Sequence, residues 1–122
     1  GNPGAMLIIE LGGLSMDEVR LKAREIEEHF RREGYGYHFP LITGDNISKV
    51  WDLRKAGLGI LNNMPGDHKP ASVIEDTAVN PELLPDYIAE VTEMLKRYNT
   101  SCVYYAHIAT GELHLRPVLN LK

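Results

Sequence analysis

Cys102-Val103-Tyr104-Tyr105-Ala106-His107-Ile108-Ala109-Thr110-Gly111-Glu112-Leu113-His114-Leu115-Arg116-Pro117-Val118-Leu119 is the stretch whose reading decides the fold. Residues 102–106 and 113–119 are both strand-like, and the connection between them is too short for a crossover, so they can pair only as an antiparallel hairpin. With Thr110-Gly111 as a two-residue turn, Ala109 faces Glu112, Ile108 faces Leu113 and His107 faces His114.

Working outward, residues 84–98 carry Leu84, Ile88, Val91 and Leu95 at spacings of four, three and four, an apolar helical stripe that Asn99 stops. Residues 72–79 alternate imperfectly between Pro70 and Pro81 and read as a strand. Residues 62–70, centred on Met64-Pro65-Gly66-Asp67, are a loop by composition. Before them, Gly44-Asp45-Asn46 supplies a turn and a cap for a helix carrying Ile47, Val50, Trp51 and Arg54, although Gly57 and Gly59 weaken its second half by up to ~1 kcal/mol each.

Nearer the start, Ser15 and Glu18 form a capping box, and Val19, Ala23, Ile26 and Phe30 make one stripe on a helix closed by Gly34. Residues 6–11 form a short apolar run closed by Gly12-Gly13, and residues 35–43 are aromatic and β-branched; both read as strands. The expected order is β-α-β-α-β-α-β-β in one domain, residues 1–122. Because the last two strands pair as a hairpin and one layer of helices suffices to cover the sheet, an α+β ferredoxin-like two-layer sandwich is preferred to a doubly wound sheet.

Composition narrows the function classes. With 43% hydrophobic and 25% charged residues the chain is neither disordered nor fibrous. Thirteen Lys plus Arg against seventeen Asp plus Glu, scattered along the chain, argue against a nucleic-acid partner. Cys102 is the single cysteine, which excludes an intrachain disulfide and fits a reducing compartment; burial is expected to leave it packed and not reactive. No apolar run approaches the ~20 residues of a membrane span, and Gly1-Asn2-Pro3-Gly4 does not read as a signal peptide, so a soluble, cytoplasmic protein is expected. Gly57-Leu58-Gly59 is too short for a dinucleotide fingerprint.

The chemistry-bearing residues gather near the hairpin. Cross-strand neighbours have Cβ atoms about 4.5–5.5 Å apart, close enough for His107 and His114 to ligate one divalent ion at ~2.1 Å. Two histidines are half of a catalytic zinc site, and the pattern equally fits ordinary sheet residues. Glu112, two residues before His114, points to the same face and is a candidate third ligand. Arg54 could hold a substrate carboxylate through a bidentate pair, or be a surface arginine paired with Asp52 or Glu75. Glu75 and Asp76, adjacent on a strand, should point to opposite faces and not share a site. One of Tyr104 and Tyr105 is expected to lie near the histidines.

Several of these stretches together resemble a known family. Ala5-Met6-Leu7-Ile8-Ile9-Glu10, residues 51–59, Met64-Pro65-Gly66-Asp67 with Lys69-Pro70, Glu75-Asp76-Thr77-Ala78-Val79, and Tyr105-Ala106-His107 through His114-Leu115-Arg116-Pro117 to Asn120 are similar, in order and spacing, to the FAD-linked oxidase C-terminal domain. That is the substrate-side domain of D-lactate dehydrogenase and glycolate oxidase type flavoproteins. The resemblance implies a piece of a larger enzyme, inactive by itself, whose separate N-terminal domain binds most of the FAD. The parent would oxidise a 2-hydroxy acid by hydride transfer to flavin. Many relatives pass the electrons to an iron–sulfur domain, for which a chain with one cysteine has no room.

By the same resemblance, His107 and His114 match the histidines that hold a divalent metal in metal-using relatives, and Arg54 matches an arginine that grips the substrate carboxylate. The family's acidic-glycine-asparagine turn is Thr110-Gly111-Glu112 here, and a further acidic ligand of metal-using members would lie beyond Lys122. One histidine could instead act as a general base, its ordinary pKa of about 6.5 suiting proton abstraction near neutrality. The resemblance assigns no residue to FAD. The rival from another class is a non-enzymatic ferredoxin-like module that binds a small molecule or self-associates through a sheet edge.

Overall fold

A computed structural model describes residues 3–63, 65–120 and 122, without the side chains of residues 58–62 and 76. Met64, in the expected loop, lies outside the described residues. The protein is α+β, and it divides into two compact units, Gly1–Ile47 and Ser48–Lys122.

The first unit is organised by helix α1 (Met16–Arg32). Ser15 caps it as the sequence predicts: its Oγ accepts from the Glu18 N–H at 3.2 Å, and the Glu18 carboxylate reaches back to the Leu14 N–H at 2.8 Å. At the other end Gly34 takes a left-handed φ of 77°, which lets the Tyr35 N–H bond to the Phe30 carbonyl at 2.8 Å and the Gly34 N–H to Arg31 at 3.2 Å. The Phe30 and Tyr35 rings close that cap edge-to-face. Val19, Ala23, Ile26 and Phe30 are the half-buried stripe of α1.

Residues 6–11 and 35–43, expected as strands, are not strands. A helix closes its hydrogen bonds within itself, whereas a strand closes them only on a neighbour. Neither run has a ladder partner among the described residues, and Met6, Leu7, Ile8, Ile9, Leu41 and Ile42 are exposed. Strand-like composition without a partner leaves extended chain.

The second unit holds the sheet. Helix α2 (Asn46–Asn62), whose first turn contains the boundary between the units, runs through Gly57 and Gly59. Strands β1 (His68–Pro70) and β2 (Ile74–Ala78) follow. Asn80 then caps a single 3-10 turn that leads into α3 (Leu84–Arg97). Asn99, at φ 53°, ends α3 as the sequence predicts, with the Thr100 N–H bonded to the Leu95 carbonyl at 3.0 Å. Strands β3 (Cys102–His107) and β4 (Glu112–Asn120) complete the unit.

Every ladder is antiparallel and runs through β4. β3 covers Glu112 to Pro117, β2 pairs between Glu112 and Leu115, and β1 takes Val118 to Asn120. Because the same β4 residues pair with both β2 and β3, those two strands occupy its opposite edges. Residues of β4 alternate: Leu113, Leu115 and Pro117 are buried on one face, and Glu112, His114 and Arg116 are half-buried on the other. The α3 stripe covers the leucine face, where Leu84, Leu113 and Leu115 form the core with Tyr87, Ile88, Val91, Cys102 and Ala106 around them. Removing each such leucine from water contributes about 1.5–3 kcal/mol. The opposite face of β4 carries the polar residues.

Candidate functional site

The hairpin does not use the expected two-residue turn. A two-residue loop of the favoured twist needs positive φ at both central positions, which the β-branched Thr110 resists. The chain instead makes a 3-10 turn over Ile108–Thr110, closed by the Gly111 N–H on the Ile108 carbonyl at 3.1 Å, with Gly111 alone left-handed at φ 72°. His107 consequently faces Glu112, and His114 faces Tyr105. The register shifts by two residues, so side-chain faces are preserved: His107 and His114 become diagonal neighbours with ring centroids 6.2 Å apart.

That geometry brings Glu112 into the group. Ligand-capable atoms of His107, Glu112 and His114 all lie within 4.8 Å of one another. Two imidazoles and one carboxylate are the donor set of an open, catalytic-type zinc site, with a fourth position left for solvent or substrate. Ligands at ~2.1 Å on a tetrahedral ion stand about 3.4 Å apart, so modest side-chain rotations would close the group on a cation. The residues present therefore fit a divalent ion.

Arg54, half-buried on α2, completes the cluster. Its guanidinium carbon sits 4.1 Å from the Tyr105 ring centroid and 5.8 Å from that of Trp51. One guanidinium N–H donates to His107 Nε2 at 3.4 Å. Arginine has no acceptor, so this contact requires a lone pair on Nε2, the form in which His107 can ligate a cation or take a proton. The structure thus gathers the three residues singled out from sequence, His107, His114 and Arg54. Of the two tyrosines, Tyr105 lies with the histidines, its ring 5.8 Å from His114 and 6.5 Å from His107. Tyr104 points to the other face, where its hydroxyl meets Thr92 of α3 at 2.5 Å.

Glu75, weighed from sequence only as a surface partner for Arg54 or as half of an acidic pair with Asp76, lies on the functional face against His114. From Leu115 to Leu113 on β4 there is one intervening residue, His114; from Ile74 to Thr77, their partners on β2, there are two, Glu75 and Asp76. This bulge stands two residues opposite one; Glu75, next to the core-packed Ile74, lies by alternation on the His114 face. Glu75 Oε2 lies 2.7 Å from His114 Nδ1, while His114 Nε2 looks toward Glu112 Oε1 at 3.3 Å. The other Glu75 oxygen takes Arg116 Nη2 at 3.3 Å. The hydrogen bond from His114 holds the Glu75 carboxyl below its usual range, helped by the Arg116 charge and by Ser72, against a smaller opposing effect of burial. The signal for Glu75 was alternation itself: with Ile74 directed to the core, the next residue faces the other side. The side chain of Asp76 lies outside the described residues.

Glu75 is thereby spoken for, and Arg54 pairs on this face with His107 and the aromatic rings. Cys102 is half-buried beside the core, and burial pushes its thiol up, as expected of a packed cysteine. Among the described residues no helix is long and apolar enough to cross a membrane.

Residues 2–122 match the family model described as FAD linked oxidases, C-terminal domain. Among curated proteins, the chain is 33% identical over 119 residues to a D-2-hydroxyglutarate dehydrogenase of Pseudomonas putida, covering 94% of this chain and 12% of that protein. It is 40% identical over 124 residues to a D-2-hydroxyglutarate dehydrogenase of Haemophilus influenzae, covering 93% of this chain and 12% of the relative. A third, from Escherichia coli, is 39% identical over 75 residues, 62% of this chain and 7% of that protein. The chain thus spans about one-eighth of the length of the first two relatives. No solved structure matches it significantly.

Proposed function

The chain belongs to the family of FAD linked oxidase C-terminal domains, and from that premise we propose that residues 1–122 are the substrate-side domain of an FAD-dependent oxidoreductase acting on a 2-hydroxy acid. The observation that carries the reading is the grouping of His107, Glu112 and His114 under the Arg54 guanidinium. Its partner is an N-terminal FAD-binding domain of the same parent, and the final electron acceptor, an iron–sulfur centre in many relatives, is outside this chain. The ferredoxin-like order expected from sequence needs strands at residues 6–11 and 35–43, which among the described residues are extended chain without ladder partners.

Oxidation of a 2-hydroxy acid removes a hydride from C2 and a proton from the hydroxyl, giving a 2-oxo acid. Arg54 clamps the substrate carboxylate with paired N–H donors, which fixes C2 and its hydroxyl over the histidines. The Tyr105 ring beneath the guanidinium holds it in that orientation. His107, Glu112 and His114 would hold a divalent cation, which supplies polarisation of the substrate hydroxyl. The flavin supplies the hydride acceptor. With no cation bound, a second reading has His107 Nε2, released when Arg54 turns to the substrate carboxylate, take the hydroxyl proton.

The relatives' names favour D-2-hydroxyglutarate over the D-lactate or glycolate of other flavoproteins of this type. The test is anaerobic flavin reduction in the full-length protein by a panel holding D-2-hydroxyglutarate, D-lactate, L-lactate and glycolate, beside Arg54→Ala. Bleaching by one acid, lost in the variant, is expected. No bleaching by any of them would return the chain to a binding module.

A further inference from the structure

The search for a second function returns to β2, where a carboxylate that the proposed reaction does not use is bound at both oxygens. We propose that Glu75 is the positioning residue of the site: it accepts the Nδ1 proton of His114 and so turns the Nε2 lone pair toward Glu112 and His107. The inference rests on the reading of His107, Glu112 and His114 as a cation site and deepens it.

Three observations support it. First, a neutral imidazole carries one proton, and whichever nitrogen donates leaves the other as ligand. His114 has a carboxylate 2.7 Å from Nδ1 and the candidate ligands on the Nε2 side, so the short bond selects the tautomer that the site needs. Second, Glu75 is itself held. Arg116, with its side chain 12% exposed, binds the oxygen that His114 does not use, which leaves Glu75 little freedom to swing away. Third, Ile74 pairs with Leu115 and packs on the core, so alternation along β2 sets Glu75 on the opposite face beside His114, ahead of the register shift that precedes Thr77.

The series Arg116, Glu75, His114 thus runs from a half-buried cation through a carboxylate to a candidate ligand. Carboxylates in this place orient a ligating histidine and raise its basicity, and their loss typically weakens metal binding by about 10- to 100-fold.

The experiment uses the full-length flavoprotein and Zn²⁺ as the probe. Affinity is read by competition with a chromophoric chelator, and the ligand field by the visible absorption of the Co²⁺-loaded protein. Wild type is compared with Glu75→Gln, Glu75→Ala and His107→Ala, each at wild-type FAD content and melting temperature. Gln keeps an oxygen that can accept from Nδ1, so the affinity order wild type, Glu75→Gln, Glu75→Ala is expected. The alanine variant should be weaker by 10-fold or more and show an altered Co²⁺ spectrum. Wild-type affinity in Glu75→Ala would overturn the proposal, as would a glutamine variant no tighter than alanine. If wild type itself binds Zn²⁺ no better than His107→Ala, the cation reading fails, and the role of Glu75 falls with it.

Discussion

Gly111→Ala should destabilise the sheet unit far more than glycine conformational preference alone predicts. Gly111 is left-handed at φ 72°, which costs an L-residue about 1–2 kcal/mol. That penalty is shared by Gly66, at φ 97° in the same unit, where an added Cβ would meet nothing within 4 Å. At Gly111 the Cβ would overlap the carbonyl oxygen of Val79 and lie 3.4 Å from Pro81 Cδ. The obstacle is backbone and cannot rotate away. Relief requires the hairpin tip to recoil from the residues after β2, breaking the Val79 N–H to Gly111 carbonyl bond of 2.9 Å. Losing that bond costs about 0.5–1.5 kcal/mol and the overpacking about 1–3 kcal/mol. Gly111→Ala is therefore expected to cost about 3–5 kcal/mol and Gly66→Ala about 1 kcal/mol. Urea unfolding followed by far-UV circular dichroism, with the slope held common, measures both. Equal midpoints for the two variants would refute the close approach of the tip to Val79. The same recoil would move His107 and Glu112, which flank the turn, so Zn²⁺ affinity should fall in Gly111→Ala and hold in Gly66→Ala.

Leu115 is 1% exposed at the centre of the core, and Leu115→Ala should cost about 3–5 kcal/mol, read as a shift in urea midpoint; a loss below 1 kcal/mol would mean that the α3 face is not packed on β4. Arg54→Lys in the full-length protein should behave like Arg54→Ala in flavin reduction, because an ammonium reproduces neither the fork nor the stacking on Tyr105; full rescue by lysine would remove the bidentate clamp. The Glu18 carboxyl is held below its usual range first by its hydrogen bond from Lys22 and next by the Leu14 N–H. A lowered carboxylate stabilises above its unfolded value and loses that contribution as acid protonates it, so amide protection at the start of α1 should be flat from pH 8 to 6 and fall below about pH 4.3. Glu18→Gln should abolish the acid step; an unchanged step would place its cause elsewhere.

The helices were legible in the sequence because their signals are local. Ser15 with Glu18, Gly34 and Asn99 mark ends by hydrogen bonds within a few residues, and the α3 stripe names its own buried face. Strands were legible where a partner lies nearby in the chain, as β3 and β4 do. Residues 6–11 and 35–43 have strand composition, yet composition cannot supply the second strand. The faces of the hairpin were legible: a two-residue turn and a four-residue loop both leave His107 and His114 on one side. What differed was the partner, since Thr110 resists positive φ and the register slips to set Glu112 opposite His107. Alternation from Ile74 puts Glu75 on the face away from the core, but that it meets His114 depends on the pairing of β2 with β4, a non-local fit.

The dependence of every ladder on β4 has a consequence for synthesis on the ribosome. β1, β2 and β3 all emerge before the strand that pairs with each of them. At roughly 5–20 residues per second, β1 waits about 2.5–10 s between the appearance of Pro70 and that of Asn120, the last of its partners. Through that interval these strands have no ladder partner, so the sheet pairs when β4 arrives, and His107, Glu112 and His114, which lie on both sides of the hairpin, come together in the same step.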